Sequence, residues 1–307
     1  MPNFIIKYIL ILSLSIIINS CTDMLTNDEN YKSLHLKGGA WIEFQSADVQ
    51  DYLNSSFTLQ MWVSGNSNSS NDAKSLLSII DDNDNSIIFG LFRDTSVDNA
   101  LDVYFNNELI ETISDDNLNW STGSFDLVTV TSESLNDGTD NHTIKIFIND
   151  SEVFSSDPIN LNVGDNNLII GGRVNTSQTY ASNFWTGCID EIRLWNDNLT
   201  AEEITFHINN PTKLNSSNGC SDNQYTNLTS CEEAGEVWSG IYSDQRLENL
   251  VGLWRFNYNS PQYHIKDESC RELNLDSGVS DNGECLDIDG TIYTLPGYSI
   301  QFSRLGI

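Results

Sequence analysis

The chain has 307 residues and a formal net charge of −30, from 44 acidic and 14 basic residues. A surface of this charge repels phosphate backbones and anionic lipid headgroups, which excludes nucleic acid as a partner. The length suffices for one large β domain or two small ones.

The first twenty residues are typical of an export signal and not of a folded element. Lys7 supplies a positive charge, and the apolar run 9–18 is too short to cross a bilayer comfortably as a mature helix. The run ends at Cys21 in a sequence that resembles the lipobox of bacterial lipoproteins, where the chain is cut before a lipid-bearing cysteine. We predict a signal peptide over 1–20, lipidation of Cys21 and a tether over 21–30. The alternative is an ordinary signal peptide with an incidental cysteine.

Short segments in which apolar and polar residues alternate dominate the next part of the chain. The alternation is clearest at residues 57–63 and 143–148. Further strand patterns lie at 76–80, 86–92, 101–105, 125–131 and 168–172. Turn clusters rich in Asn, Asp, Ser and Gly separate them, at 81–85, 136–140 and 149–150. Many short strands at this spacing predict a β sandwich.

One helix and one insertion interrupt the strand pattern. Thr200 caps the predicted helix, Glu203 completes a capping box, and Pro211 follows its end. Residues 213–249 have no strand rhythm, so we interpret them as an insertion. A strand pattern returns at 250–257.

Six cysteines are present. If Cys21 carries lipid, five remain, and an oxidising compartment favours disulfides between sequence neighbours. The disulfide candidates form two such pairs, one of which staples the insertion: Cys220 with Cys231, and Cys270 with Cys285. Cys188 is then free, inside an apolar strand where a lone cysteine behaves as a small buried apolar residue. No Cys-x-x-Cys spacing exists, so zinc is not indicated.

Taken in order, these segments resemble the laminin-G-like, concanavalin A-like jelly-roll domains of bacterial surface proteins. The most specific stretch is FWTGCIDEIRLW at 184–195, followed by LTAEEI at 199–204. Together they look like the family's F-x-G-x-IDEVRIWN…LSAEEI pattern. Residues 57–63 resemble its FTIEAWV strand, and residues 167–172 resemble LRIGG.

The resemblance implies an all-β jelly-roll sandwich with one short helix and a disulfide-bearing insertion. We expect the main part over residues 31–212, the insertion over 213–249, and strands that complete the sandwich over 250–307. Such domains bind glycans or proteins in some settings and serve as accessory modules in others, so the fold does not fix the function.

The same fold hosts endo-glucanases, which carry Glu-x-Asp-x-x-Glu on one strand, and this pattern is absent from the sequence. Asp190 and Glu191 are adjacent, and Glu108 and Glu111 are three apart. In a regular strand, each pair points to opposite faces. The four histidines are scattered, without a His-Glu-x-x-His helix or a Gly-x-Ser-x-Gly elbow. A glycan-degrading enzyme with an unrecognised site is therefore the alternative to a binding protein.

Calcium is the one cofactor that the sequence suggests, because oxygen ligands are abundant and jelly-roll relatives often hold a structural calcium. Asp190 is the leading metal candidate, since an acidic side chain inside an apolar strand must be paired or metal-bound. The alternative for Asp190 is a hydrogen bond to backbone or to Arg193. The acidic loop 81–85 lacks EF-hand spacing, and a plain hairpin turn is the simpler interpretation.

Trp62 and Gln60 lie opposite the apolar face of their strand. They either line a glycan groove or pack against the second sheet or the insertion.

The sequence as a whole predicts a lipid-anchored protein of the cell envelope, in the outer membrane or at the cell surface. Its partner is a glycan or a cell-surface protein, bound without catalysis. The alternatives are the enzyme and a purely structural envelope protein.

Overall fold

The structure is a computed structural model that describes sixteen stretches of the chain. They are residues 33–37, 40–65, 74–94, 100–114, 118, 125–135, 140–175, 180–209, 211, 219–220, 238–239, 249–254, 264–266, 285–286, 292–293 and 299–304.

Short strands and two short helices make up the described residues. The helices are α1 (Ser46–Leu53) and α2 (Ala201–Asn209). The strands of the first half are β1 (Leu34–Lys37), β2 (Ala40–Phe44), β3 (Phe57–Gly65), β4 (Lys74–Ile80), β5 (Ile87–Arg93), β6 (Ala100–Phe105), β7 (Glu108–Ser114), β8 (Asp126–Ser134), β9 (Asn141–Ile148) and β10 (Ser151–Ser155). Those of the second half are β11 (Ile159–Asn160), β12 (Leu168–Ile170), β13 (Arg173–Asn175), β14 (Tyr180–Ser182), β15 (Thr186–Trp195), β16 (Gly219–Cys220), β17 (Trp238–Ser239), β18 (Leu250–Trp254), β19 (His264–Lys266), β20 (Cys285–Leu286), β21 (Ile292–Tyr293) and β22 (Ser299–Arg304).

Two eight-stranded sheets form the body of the fold. The first sheet has the order β1-β15-β3-β8-β9-β10, with β11 added beside β9 and β18 beside β15. The second sheet has the order β19-β22-β2-β12-β4-β5-β6-β7. Three small two-stranded sheets pair β13 with β14, β16 with β17 and β20 with β21. The all-β jelly-roll class is thereby confirmed.

The main hydrophobic core lies between the two large sheets. The apolar positions of β3 that the alternation singled out (Leu59, Met61 and Val63) face it, together with Leu91 from β5 and Val103 from β6. The removal of this apolar surface from water is the main stabilising contribution to the fold. The alternation therefore identified the residues that join the two sheets.

A smaller cluster covers the outer face of the first sheet. Ile204 of α2 packs there with Trp62 and Trp195, and the ring of His207 stacks on Trp195 with centroids 5.6 Å apart. Because this face is covered as well, every residue of β3 is buried.

Neither helix in the described part of the chain is long and apolar enough to cross a membrane.

The predicted helix is present as α2, and its capping box is formed. The backbone N–H of Thr200 donates to Oε2 of Glu203 at 2.6 Å, and the Glu203 N–H donates to Oγ1 of Thr200 at 3.3 Å. Helix α1 was not predicted. The residue before it, Gln45, makes no side-chain capping hydrogen bond, so the usual sequence signal of a helix start is missing.

Strands from the end of the chain pair with strands from its beginning. In the first sheet, β18 runs antiparallel to β15, so that Arg193 lies opposite Leu253. In the second sheet, β22 pairs with β2, and Ile42 lies opposite Phe302. The two sheets therefore contain chain from both sides of segment 213–249.

A histidine is buried inside the first sheet. His142 of β9 is almost fully buried, and its Nδ1 lies 2.8 Å from Oγ of Ser132 on β8. Burial lowers the pKa of His142, and the charge of Asp140 opposes this shift only in part. The folded protein therefore favours the neutral imidazole.

Stability should consequently fall when the pH drops from 7 to 5. The unfolded chain, with a histidine pKa of about 6.5, takes up a proton that the folded state resists, so the free energy of unfolding decreases through this range. Thermal unfolding at the two pH values measures the loss, which we expect to shrink in His142→Asn. An equal loss in the variant and the natural protein would assign the pH effect to other groups.

Candidate functional site

The turn between β4 and β5 is formed by the acidic loop 81–85, which is a hairpin turn as predicted. Oδ1 of Asp81 accepts hydrogen bonds from the backbone N–H of Asn83 at 2.8 Å and from its Nδ2 at 2.9 Å. Asn85 adopts a left-handed conformation with φ of 65°, which asparagine tolerates better than most residues. Side-chain and backbone hydrogen bonds from Ser86 lower the pKa of Asp84. The polar residues of the loop thus stabilise its own turn.

Side chains from the second half of the chain hold this turn in place. Oδ1 of Asn166 accepts the backbone N–H of Asp82 at 3.0 Å. From the other direction, Nδ2 of Asn175 donates to the Asp82 carbonyl at 3.1 Å, and Nη2 of Arg173 donates to the Asn85 carbonyl at 2.7 Å. Asn166 thus fixes the turn against the connection between β11 and β12, and Arg173 and Asn175 fix it against β13.

A polar cleft of about 600 Å³ lies where this turn meets the β6–β7 turn and the β11–β12 connection. We call it the turn-end cleft. Nine of its eleven lining residues have polar side chains: three carboxylates, five amides and one hydroxyl. The lining residues are Asp81, Asp82, Asn83, Ser86, Ile88, Asn106, Asn160, Asn162, Gly164, Asp165 and Asn166. A volume of this size holds a small-molecule ligand, and the lining chemistry favours one rich in hydroxyl groups.

The cleft combines fixed groups with groups that remain available. Asn162 and Asn166 are fixed: Oδ1 of Asn162 accepts the Gly164 N–H at 3.0 Å, and Nδ2 of Asn166 donates to the Val163 carbonyl at 2.9 Å. Asn106, Asn160 and Asp165 are exposed, and their side chains make no hydrogen bond within the described ranges. Two amides and one carboxylate therefore remain to meet a ligand. None of the three is predicted from the sequence, because Asn and Asp are common in turns.

Asp190, the predicted metal candidate, lies at a β-bulge of β15. Asp190 pairs with Trp62 of β3 and Arg193 pairs with Gln60, so between these pairs β15 contains one residue more than β3. Oδ1 of Asp190 accepts the backbone N–H of Glu191 at 2.8 Å, which is the backbone hydrogen bond given above as the alternative to calcium.

Glu191 has a left-handed conformation with φ of 46°, and its Oε2 lies 3.0 Å from Nη2 of Arg193. Both side chains are 1% exposed. The same Nη2 donates to the Pro211 carbonyl beyond α2. Asp190 and Glu191 are both buried, and Glu191 is engaged with Arg193.

No group of three or more His, Cys, Asp or Glu side chains that could hold a metal ion occurs within the stretches that the structure describes. Within those stretches, Asp190 is therefore not part of a group of three such side chains. Calcium at Asp190 stays a prediction.

Trp62 and Gln60 do not line a groove. Trp62 is 6% exposed and Gln60 is fully buried, and Oε1 of Gln60 accepts Nε1–H of Trp195 at 3.2 Å. The glycan groove at this face is therefore wrong, and the packing alternative is correct. The cover is α2 with β18, and not the second sheet or the insertion as predicted.

Glu108 and Glu111 also differ from expectation. A bulge in β7 places Glu108 opposite Phe105 and Glu111 opposite Val103, two positions on one face of β6. The two glutamates therefore share a face of the sheet, and the prediction that they point to opposite faces was wrong. Both are exposed on the edge strand, and neither lines the turn-end cleft.

A second polar group lies on the second sheet and was not predicted. Oδ1 of Asp102 on β6 accepts the Thr112 hydroxyl at 2.6 Å. Burial raises the pKa of Asp102, the Thr112 hydrogen bond opposes this, and the charge of Asp94 raises the pKa further. Burial and then the charges of Asp102 and Asp94 raise the pKa of Tyr104, against a smaller opposing effect of Arg173. The sequence gives no signal for this group, because it depends on pairing between β6 and β7.

Cys188 corrects another prediction, because it is disulfide-bonded and not free. Its partner is not among the described side chains. The two predicted pairs use Cys220, Cys231, Cys270 and Cys285, so a bond from Cys188 to any of them breaks one pair. Sequence proximity is a weak guide to disulfide pairing, since strands distant in the chain meet in a sheet. The side chains of those four cysteines, and Cys21, lie outside the described residues.

A family comparison agrees with this geometry. The sequence profile of the concanavalin A-like lectin/glucanases superfamily, in its Laminin_G_3 form, matches residues 36–205. Since this is more than half of the chain, the protein belongs to that superfamily. No curated protein matches the sequence.

Solved structures with a similar course of the backbone include a heptameric SAP-like pentraxin from Limulus polyphemus, at 12% identity and a TM-score of 0.43. The match covers 60% of this chain and 84% of the pentraxin chain. The CBM40 of a Ruminococcus gnavus sialidase, bound to α2,3-sialyllactose, has 14% identity and a TM-score of 0.44, with coverages of 57% and 95%. A Trypanosoma rangeli sialidase mutant has 14% identity and a TM-score of 0.43, covering 59% of this chain. This chain spans only 27% of that enzyme. At this similarity, ligands and activities do not transfer.

The buried pair of Glu191 and Arg193 should be far more important for stability than an exposed pair of the same length. Arg193→Leu leaves the Glu191 carboxylate buried without its cation, and we expect the free energy of unfolding in urea to fall by about 3–5 kcal/mol. The matched control is Lys145→Met, which breaks the exposed Lys145–Glu152 pair, also 3.0 Å long, and should change it by less than about 1 kcal/mol. Similar small losses in both variants would contradict the role of the buried pair.

Proposed function

We propose that this protein is a non-catalytic carbohydrate-binding module of the cell envelope, with the turn-end cleft as its glycan site. The observation that carries the proposal is the lining of that cleft, where amides, carboxylates and a hydroxyl converge on a volume of about 600 Å³. Sugar hydroxyls both donate and accept hydrogen bonds, so they match carboxylate acceptors and amide groups that do both. Membership of a superfamily that includes lectins supports the same function.

The fixed part of the cleft favours binding without rearrangement. The hydrogen bonds of Asn162, Asn166 and Arg173 hold the surrounding turns before a ligand arrives. A site that is already ordered loses less conformational entropy on binding, which raises affinity. Asn106, Asn160 and Asp165 then supply the contacts to the sugar.

Attachment to the envelope is part of the proposal. The export signal, the lipid on Cys21 and the short tether over residues 21–30 would place the jelly roll close to a membrane surface, at the outer membrane or the cell surface. The disulfide at Cys188 supports an exported location, because such bonds persist in oxidising compartments. The glycan, or a cell-surface protein as the other candidate partner, would then lie outside the cytoplasm.

A glycan-degrading enzyme is the second candidate function, and one observation favours it: Glu108 and Glu111 share a face of the sheet. Glycosidases use two carboxyl groups about 5–10 Å apart on either side of the scissile bond. These glutamates are exposed on the edge strand of the sheet, and neither lines the turn-end cleft. Binding is therefore the better supported function.

A glycan array tests the proposal. The full-length protein is purified in a detergent without sugar groups and screened with calcium and again with EDTA, and hits are measured by calorimetry. We expect a defined glycan class to bind, and Asp165→Ala or Asn160→Ala to weaken binding about tenfold through lost hydrogen bonds. The matched control is Asp150→Ala, in the β9–β10 turn at the opposite end of the sandwich, which should bind normally.

Three results would contradict parts of this proposal, and a fourth would contradict the calcium prediction. No glycan binding under either condition would favour a protein partner or a structural role. Binding that the cleft variants do not weaken would place the site elsewhere. Reducing ends released from β-glucans, and lost in Glu108→Gln, would establish the enzyme. A melting temperature unchanged by EDTA would contradict a structural calcium at Asp190.

A further inference from the structure

The turn-end cleft carries charge of one sign. Three of its eleven lining residues are carboxylates (Asp81, Asp82 and Asp165), and none is lysine, arginine or histidine. The remaining polar groups are neutral amides and one hydroxyl. A ligand that enters the cleft therefore meets negative charge and uncharged hydrogen-bonding groups.

None of the basic side chains in the described stretches is a lining residue of the cleft. Arg173 binds the Asn85 carbonyl through Nη2 and is not a lining residue. Lys145 is paired with Glu152, Arg193 is buried against Glu191, and the pKa of His142 is lowered by its burial. The cleft accordingly keeps the negative sign of the whole chain, whose net charge is −30.

The carboxylates differ in how far they are already engaged. Oδ1 of Asp81 accepts two hydrogen bonds from Asn83, at 2.8 and 2.9 Å. Asp165 is exposed and makes no side-chain hydrogen bond within the described part of the chain. Its carboxylate can accept hydrogen bonds from sugar hydroxyls, and it repels any anionic group brought into the same space.

We propose that the turn-end cleft selects neutral glycans and rejects glycans that carry carboxylate, sulfate or phosphate groups. The inference rests on the proposed function, since it specifies the ligand class of the same site. Neutral sugars gain the hydrogen bonds of the amides and Asp165 without a charge penalty. An acidic sugar of the same shape meets like charge that no cation in the lining offsets, which is how a site discriminates against a close analogue.

The test compares oligosaccharides that differ only in their acidic group. Suitable pairs are β-1,4-mannohexaose with its mannuronate counterpart, and cellohexaose with the β-1,4-glucuronate hexamer. Affinities are measured for the full-length protein in detergent at low salt, in EDTA and again with calcium. For whichever pair binds, we expect the neutral member to bind at least about tenfold more tightly, with a smaller ratio at high salt because salt screens the repulsion.

Charge-neutral variants locate the effect. Asp165→Asn keeps the shape of the side chain and removes its charge, so the ratio of neutral to acidic affinity should fall several-fold. Asp150→Asn makes the same change in charge at the opposite end of the sandwich and should leave the ratio unchanged. An equal fall in both variants would show that net charge, and not the cleft, sets the preference.

The outcomes separate this inference from the proposed function. If acidic and neutral members of a pair bind equally well, or the acidic member binds better with or without calcium, the charge inference is overturned and glycan binding stands. If neither these pairs nor any glycan of the array binds, the proposed function itself fails. A neutral preference that Asp165→Asn weakens supports both.

Discussion

Glu191 and Arg193 bury opposite charges at the bulge of β15, 3.0 Å apart, and several elements are arranged around this contact. A buried pair is tolerated only when its geometry is good and its other hydrogen-bonding groups find partners. Arg193 also donates to the Pro211 carbonyl, which ties the chain beyond α2 to β15. The cover over Trp62 depends on α2 remaining there. The contact between Glu191 and Arg193 therefore links the bulge of β15 to the segment that follows α2.

Amide side chains hold together the end of the sandwich that carries the turn-end cleft. Loops that carry binding groups are most effective when a rigid scaffold positions them. At the end that holds the turn-end cleft, side chains reach across long stretches of sequence: Oδ1 of Asn167 accepts the backbone N–H of Ser46 at 2.8 Å, and Oδ1 of Asn54 accepts that of Val163 at 3.2 Å. Amides there hold the connections between strands in place, and in the proposed function those of Asn106 and Asn160 also contact the glycan.

Alternation of apolar and polar residues was enough to predict the sandwich, because this alternation identifies the residues of β3 that face the core. Strand β7 and helix α1 were missed, since one is mostly exposed and the other lacks a capping side chain. The bulge in β7 caused the error at Glu108 and Glu111. An extra residue in a strand reverses the face to which every later side chain points, and the sequence carries no signal of its position. The turn-end cleft could not be predicted, because three connections distant in the chain form it and each reads as an ordinary turn by itself.

Strand β7 is the last strand of the second sheet, and it exposes Leu109 and Ile110 to 50% and 46%. An apolar edge of this kind is a template on which further strands can add, and it is a common start of aggregation. Glu108 and Glu111 stand on either side of that apolar pair, so two copies of the edge that approach each other bring four like charges together. The acidic character of the chain has a second role in this respect: it opposes the pairing of two copies through the edge of the second sheet.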